Sequence, residues 1–145
     1  MRKTIFANGE YYHIYNRGVD KREVFLNDDD YIRFIKSIKE YNDTKTYGRF
    51  QNRGSTSGSF EVEPLIELVA YCLNPNHYHF ILKQLEEGGV SKFMQKLSTS
   101  YTMYFNKKYD RSGALFQGRF KSIHIDTNEY LLHLSVYVNK NNFIH

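Results

Sequence analysis

Asn74-Pro75-Asn76 separates two largely apolar runs, Leu65 to Leu73 and His77 to Leu85, and it restricts the possible folds more than any other stretch. Proline fixes its own backbone and asparagine tolerates tight-turn conformations, so the chain reverses there and the flanking runs pair as a β-hairpin. Side chains alternate along a strand. In His77-Tyr78-His79-Phe80 the two imidazoles therefore point to one face and the two aromatic rings to the other. The turn leaves the histidines at a strand mouth, near solvent. Spacing alone leaves two readings open: half-buried imidazoles that serve packing, or two ligands for one metal ion.

The elements around this hairpin follow from periodicity. Tyr11 to Tyr15 is rich in β-formers and ends at the turn signal Asn16-Arg17-Gly18, which predicts a strand over 10–16, with Gly18 able to bring backbone close to a ligand. Asn27 and three aspartates precede Tyr31, Phe34, Ile35, Ile38 and Tyr41 at helical spacing, so a helix is predicted over 28–41. Residues 42–60 are polar and glycine-containing, a long loop of the kind that carries function. After Gly88-Gly89, Ser91 is the expected cap of a second helix with the stripe Phe93, Met94, Leu97, Tyr101, Tyr104 and Phe105. Leu115 to Ile125 reads as a fourth strand interrupted at Gly118, with Gln117, Arg119 and Lys121 on one face. A last helix follows, capped by Asp126 or Thr127, with Glu129 completing a capping box with Asp126. The order predicts an α+β fold, a ferredoxin-like split βαβ arrangement with an antiparallel four-stranded sheet and two helices on one face. The C-terminal helix is additional. It carries Tyr137 and Asn141, four positions apart and so on nearly one face; Tyr130 and Leu134 share that face, and the stripe reads equally as core.

Length and charge set the outer bounds. The 145 residues are expected to form a single domain spanning 1–145. The net charge of +4 leans towards a polyanionic partner, and the basic residues cluster: Ser91 to Ile125 holds seven lysines and arginines against the single acid Asp110. That composition suits a phosphate-facing surface and equally a solvated helix face. Tyrosines and phenylalanines interleave with these basic residues, as base stacking requires and as core packing also allows. A single cysteine, Cys72, excludes an intrachain disulfide and fits a reducing compartment. No run is long enough to cross a membrane, so a cytoplasmic location is expected.

Four ordered blocks resemble the single-tyrosine HUH transposases, and most closely their REP-associated (RAYT) branch. They are Tyr12 to Gly18, Asn74 to Phe80, Tyr101 to Asn106 with Gly113 to Ser122, and Tyr137 to Asn141. The resemblance implies that Tyr137 is the nucleophile, and that His77, His79 and Asn141 hold a divalent metal, Mg²⁺ or Mn²⁺. It further implies cleavage and rejoining of single-stranded, hairpin-flanked DNA through a 5′-phosphotyrosine, which makes the added element a catalytic helix. Arg17, Gly18, Gln117, Arg119 and Lys121 are the candidate DNA contacts. Members of the family dock the last helix on their own sheet or on a partner's, so monomer and homodimer both remain open. One departure is Asn142, which follows Asn141 where the branch usually has proline; the helix loses a stop signal there.

Two other readings compete with this one. The same order of elements occurs in RNA-recognition modules, which present aromatics on the inner strands where this chain places His77 and His79. Relaxases and replication initiators use a similar histidine site in larger chains.

Overall fold

The computed structural model describes residues 4–44 and 63–140, the last six of these as helix backbone only. The elements are β1 (Tyr11–Arg17), α1 (Asp28–Tyr41), β2 (Ile66–Asn74), β3 (His77–Gln84), α2 (Gly89–Lys108), β4 (Lys121–Ile125) and α3 (Asn128–Lys140), with a 3-10 turn at Val19–Lys21. The sheet order is β2-β3-β1-β4 and each neighbouring pair is antiparallel. This is the split βαβ arrangement expected from the sequence. Most of the 42–60 loop lies outside the described residues.

Two clusters cover the two faces of the sheet. On one face α1 and α2 bury Tyr12, Ile14, Tyr78, Phe80 and Leu82 of the strands against Phe34, Ile38, Phe93, Leu97 and Tyr101 of the helices. On the other, Ala70, Cys72, Ile81 and Ile125 pack with Leu134 of α3, flanked by Tyr11, Tyr130 and Leu131. Tyr78 and Phe80 are fully enclosed on the first face, and this anchors β3 so that its odd-numbered side chains emerge on the second. α3 packs against β2, β3 and β4 of its own chain.

A bulge in β2 decides which residues meet the histidines. The register shifts between Leu68, opposite Leu82, and Ala70, opposite Ile81. Leu68 therefore packs with the α1–α2 cluster while Ala70, only two residues on, packs with α3. One extra residue inverts the facing of everything after it. Cys72 now stands opposite His79 and Asn74 opposite His77. Without the bulge, Tyr71 and Leu73 would line that face.

Helix boundaries follow caps, with two corrections to the sequence reading. Asn27 caps α1 as expected, its side chain accepting from the Asp30 N–H at 3.2 Å. At the other end, Asn42 accepts from the N–H groups of Leu65 and Ile66, both at 2.9 Å, and so ties α1 to the start of β2. Ser91 does not cap α2. The helix begins two residues earlier, after Gly88 in the left-handed region at φ 71°. Buried Gln84, at the end of β3, accepts from the Val90 N–H at 3.0 Å and does the work expected of the serine. Gly89 must be glycine here because a Cβ would lie 2.4 Å from the Leu65 carbonyl oxygen. For α3 it is Thr127 that caps, accepting from the Tyr130 N–H at 3.1 Å, in place of the Asp126 capping box. Gln84→Ala is expected to lower stability by about 2 kcal/mol, since a cap and a buried hydrogen-bond partner are lost together. Urea unfolding would show this as an earlier midpoint with an unchanged slope.

β4 is shorter than the sequence suggests. Gly118 adopts φ 65°, and of the preceding residues only Phe116 bridges to the sheet, at Gly18. Alternation therefore breaks at Gly118, and a simple odd–even count across it does not assign faces.

Candidate metal and DNA site

The cross-strand rows on the α3 face assemble the site. His77 lies between Asn74 and Arg17, and in the next row His79 lies between Cys72 and Tyr15, with Lys121 beyond Tyr15. His13, one row deeper on β1, reaches back diagonally: its Nε2 is 3.0 Å from His79 Nδ1. The His13 and His79 rings stack at 5.2 Å between centroids, while His77 and His79 meet edge to face at 5.1 Å. A cavity of about 440 Å³ opens over this corner, lined by Tyr15, Asn16, Arg17, His77, His79, Gln117 and Lys121.

Hydrogen bonds fix the imidazoles. His77 Nδ1 is 2.8 Å from Asn76 Oδ1, an acceptor, so Nδ1 carries the proton and donates. The lone pair of His77 is then on Nε2, where the Asn74 side-chain amide approaches at 3.0 Å and also donates to Cys72 Sγ at 3.3 Å. Burial lowers the pKa of His77 and of His13 below the usual histidine value. His79 falls to about 4, through burial first and then the neighbouring His13 and His77. All three are neutral at neutral pH, the form that binds metals. Two neutral imidazoles side by side at a strand mouth fit a divalent cation as half a coordination shell. Among the described residues, no group of three or more His, Cys, Asp or Glu side chains is arranged to hold an ion.

Arg17 and Lys121 give the cavity positive charge, and among the described residues no carboxylate lines it. Gln117 is held by its backbone N–H, which donates to the Arg17 carbonyl at 2.9 Å, and by its side-chain oxygen, which accepts from the Asp20 N–H at 3.2 Å. Buried Asn16 donates to the Gly118 carbonyl at 3.1 Å and thereby ties the end of β1 to the turn that carries Gln117.

The structure thus brings together His77, His79, Arg17, Gln117 and Lys121. It separates two other candidates. Arg119, beyond the break at Gly118, lines a different cavity with Ser91, Met94 and Ser98 of α2. Gly18 approaches its own chain: a Cβ there would lie 2.2 Å from the Arg22 carbonyl oxygen, and its N–H donates to the Asn76 carbonyl at 2.9 Å. Tyr137 lies in α3, three residues after Leu134, and Asn141 falls outside the described residues. Sequence reasoning missed His13 and Asn74 as members of the site. Strand periodicity did contain a signal for His13, which stands at i and i+4 with Arg17 on the face that the histidine pair uses.

This fold is that of the tyrosine transposases. A REP-associated tyrosine transposase solved with a REP hairpin superposes with a TM-score of 0.68 at 15% identity, covering 97% of this chain and 71% of that one. A candidate transposase from Deinococcus radiodurans R1 gives a TM-score of 0.52 at 14% identity, with 98% of each chain covered. The chain belongs to the IS200-like transposase family, which matches residues 59–141. Among curated proteins, none matches it. No helix among the described residues is long and apolar enough to cross a membrane.

Proposed function

We propose that this protein cleaves and rejoins single-stranded DNA at hairpin-flanked sites through a 5′-phosphotyrosine on Tyr137. One observation carries the reading: the helix that contains Tyr137 lies on the same sheet face as His77 and His79. α3 begins just after Ile125, which sits in the row of Tyr11 and Lys83 at the far end of the sheet from His77. From Lys83 back to His79 is four strand residues, about 13 Å, and to His77 about 20 Å. Along a helix, Asn128 to Tyr137 rises about 14 Å. A helix laid on this face towards the histidines has the length to bring Tyr137 level with His79.

In this reading Arg17 and Lys121 hold the DNA phosphate, and Gln117 orients the backbone beside them. His77 and His79, with Asn141, would hold a Mg²⁺ or Mn²⁺ ion, which would supply Lewis-acid polarisation of the scissile phosphate. The Tyr137 phenol loses its proton to water, and its oxygen attacks phosphorus as the P–O3′ bond breaks. The departing 3′ oxygen takes a proton from water, so the products are a 3′-hydroxyl and a 5′-phosphotyrosine. The covalent link conserves the bond energy, so the 3′-hydroxyl of a second strand reverses the step without a nucleotide cofactor.

The reading is tested with single-stranded DNA taken from either side of the protein's own gene, labelled on the 3′ portion and incubated with Mg²⁺ or Mn²⁺. The expected product is a denaturation-resistant protein–DNA adduct that disappears with EDTA and transfers its label to a second strand carrying a free 3′-hydroxyl. Cleavage that leaves a free 5′-phosphate and no adduct would rule out the tyrosine route.

A further inference from the structure

We infer that His13 is a positioning residue for the metal site, holding His79 in the one tautomer and ring orientation that present a lone pair to a divalent cation. The inference rests on the metal-site reading above and deepens it. Two ring nitrogens 3.0 Å apart share a single proton, so one of them donates and the other accepts. If His13 Nε2–H donated, His79 would accept on Nδ1, carry its own proton on Nε2, and have no lone pair to offer. If His79 Nδ1–H donates to the lone pair of His13 Nε2, His79 Nε2 is the ligand. Only the second arrangement binds a metal. His77 is prepared in the same way, its Nδ1–H held by Asn76 Oδ1 and its lone pair left on Nε2. Each of the two histidines thus has an acceptor on Nδ1 fixing which nitrogen carries the lone pair, and at His77 the Asn74 amide occupies that lone pair at 3.0 Å, where an ion would replace it.

His13 is suited to the task by its place in the sheet. It is 9% exposed, lies tilted against the Tyr15 ring at 5.0 Å and stacks on His79 at 5.2 Å, and its backbone is paired on both sides, with Ile81 and Ile123. It therefore has little rotational freedom. An acceptor fixed in this way costs no ordering when the ion arrives, and it prevents the His79 ring from flipping.

The test uses the full chain and Co²⁺, whose visible bands report imidazole coordination without any DNA reaction. His79→Ala is expected to lose the bands. His13→Leu is expected to weaken Co²⁺ binding about 10- to 100-fold. His13→Gln, whose side-chain oxygen restores an acceptor, is expected to recover most of the affinity. His13→Leu binding Co²⁺ as the wild type does, while His79→Ala does not, would overturn the role of His13 alone. Wild-type affinity in both His77→Ala and His79→Ala would instead overturn the metal site itself. A measurement on unaltered protein guards against misfolded variants: ¹⁵N shifts of the Zn²⁺-loaded chain should show His79 protonated at Nδ1 and coordinated through Nε2. Coordination through Nδ1 would refute the inference.

Discussion

Tyr137→Phe is expected to abolish the covalent protein–DNA adduct, with a loss of at least about 10³-fold, while leaving folding and Co²⁺ binding unchanged. Phenylalanine keeps the ring and removes only the oxygen that the proposed reaction uses as its nucleophile. The pattern of effects separates the candidates for the nucleophile. The structure holds many other tyrosines, and three of them, on the opposite side of the sheet, are committed there: Tyr101 donates to the Val24 carbonyl, and Tyr104 and Tyr109 donate to Asp30. Tyr15 is the most serious competitor, because it lines the cavity beside His79. Tyr15→Phe is expected to retain the adduct. An adduct that persists in Tyr137→Phe and vanishes in Tyr15→Phe would move the chemistry from α3 to β1.

How much of this was legible beforehand depends on whether a feature is local. Helix α1 is read within its own span, from Asn27 and the aspartates to the stripe ending at Tyr41, and the structure gives Asp28–Tyr41. The hairpin is equally local, because the Asn74-Pro75-Asn76 turn fixes where its two strands pair. What local pattern could not supply was register between distant segments. His13 meets His79 across 66 residues, and nothing in either strand alone specifies that diagonal. The bulge between Leu68 and Ala70 likewise reassigns Cys72 and Asn74 to the histidine face against a simple count of alternation. The expected cap at Ser91 failed for the same reason. Gln84, which lies outside the helix and is buried beneath it, satisfies the first turn. At Gly118 the local reading was the wrong one: the glycine does not interrupt a continuing strand but precedes its start, which separates Arg119 from the cavity that Gln117 and Lys121 line.

The largest loss of stability is expected from Asp30, which joins the start of α1 to the end of α2 behind the sheet. Its side chain is fully enclosed and accepts four hydrogen bonds: Lys108 Nζ at 2.8 Å and Tyr104 Oη at 2.7 Å on one oxygen, Tyr109 Oη at 2.6 Å and the Leu26 N–H at 2.9 Å on the other. That fills the lone-pair positions of a carboxylate. Burial by itself would raise the Asp30 pKa, but the donors from Lys108, Tyr109, Tyr104 and Leu26 outweigh it and hold the group below its ordinary value. Asp30→Ala removes every one of these bonds and is expected to cost about 3 kcal/mol, the loss of several hydrogen bonds to one enclosed carboxylate. Asp30→Asn is expected to cost nearly as much, since its amide nitrogen would face donors on whichever side it turns. The pH dependence has a definite sign. A carboxyl group whose folded pKa lies below its unfolded value of about 3.9 binds fewer protons folded than unfolded, so it stabilises the fold above that value. The contribution is fully present at about pH 5 and above, and it is lost as pH falls through the lower, folded pKa. Urea midpoints measured between pH 7 and pH 2.5 should therefore fall less steeply for Asp30→Ala than for the parent protein, and the two curves should converge towards the acid end. Parallel curves would mean that the Asp30 carboxylate contributes through packing alone.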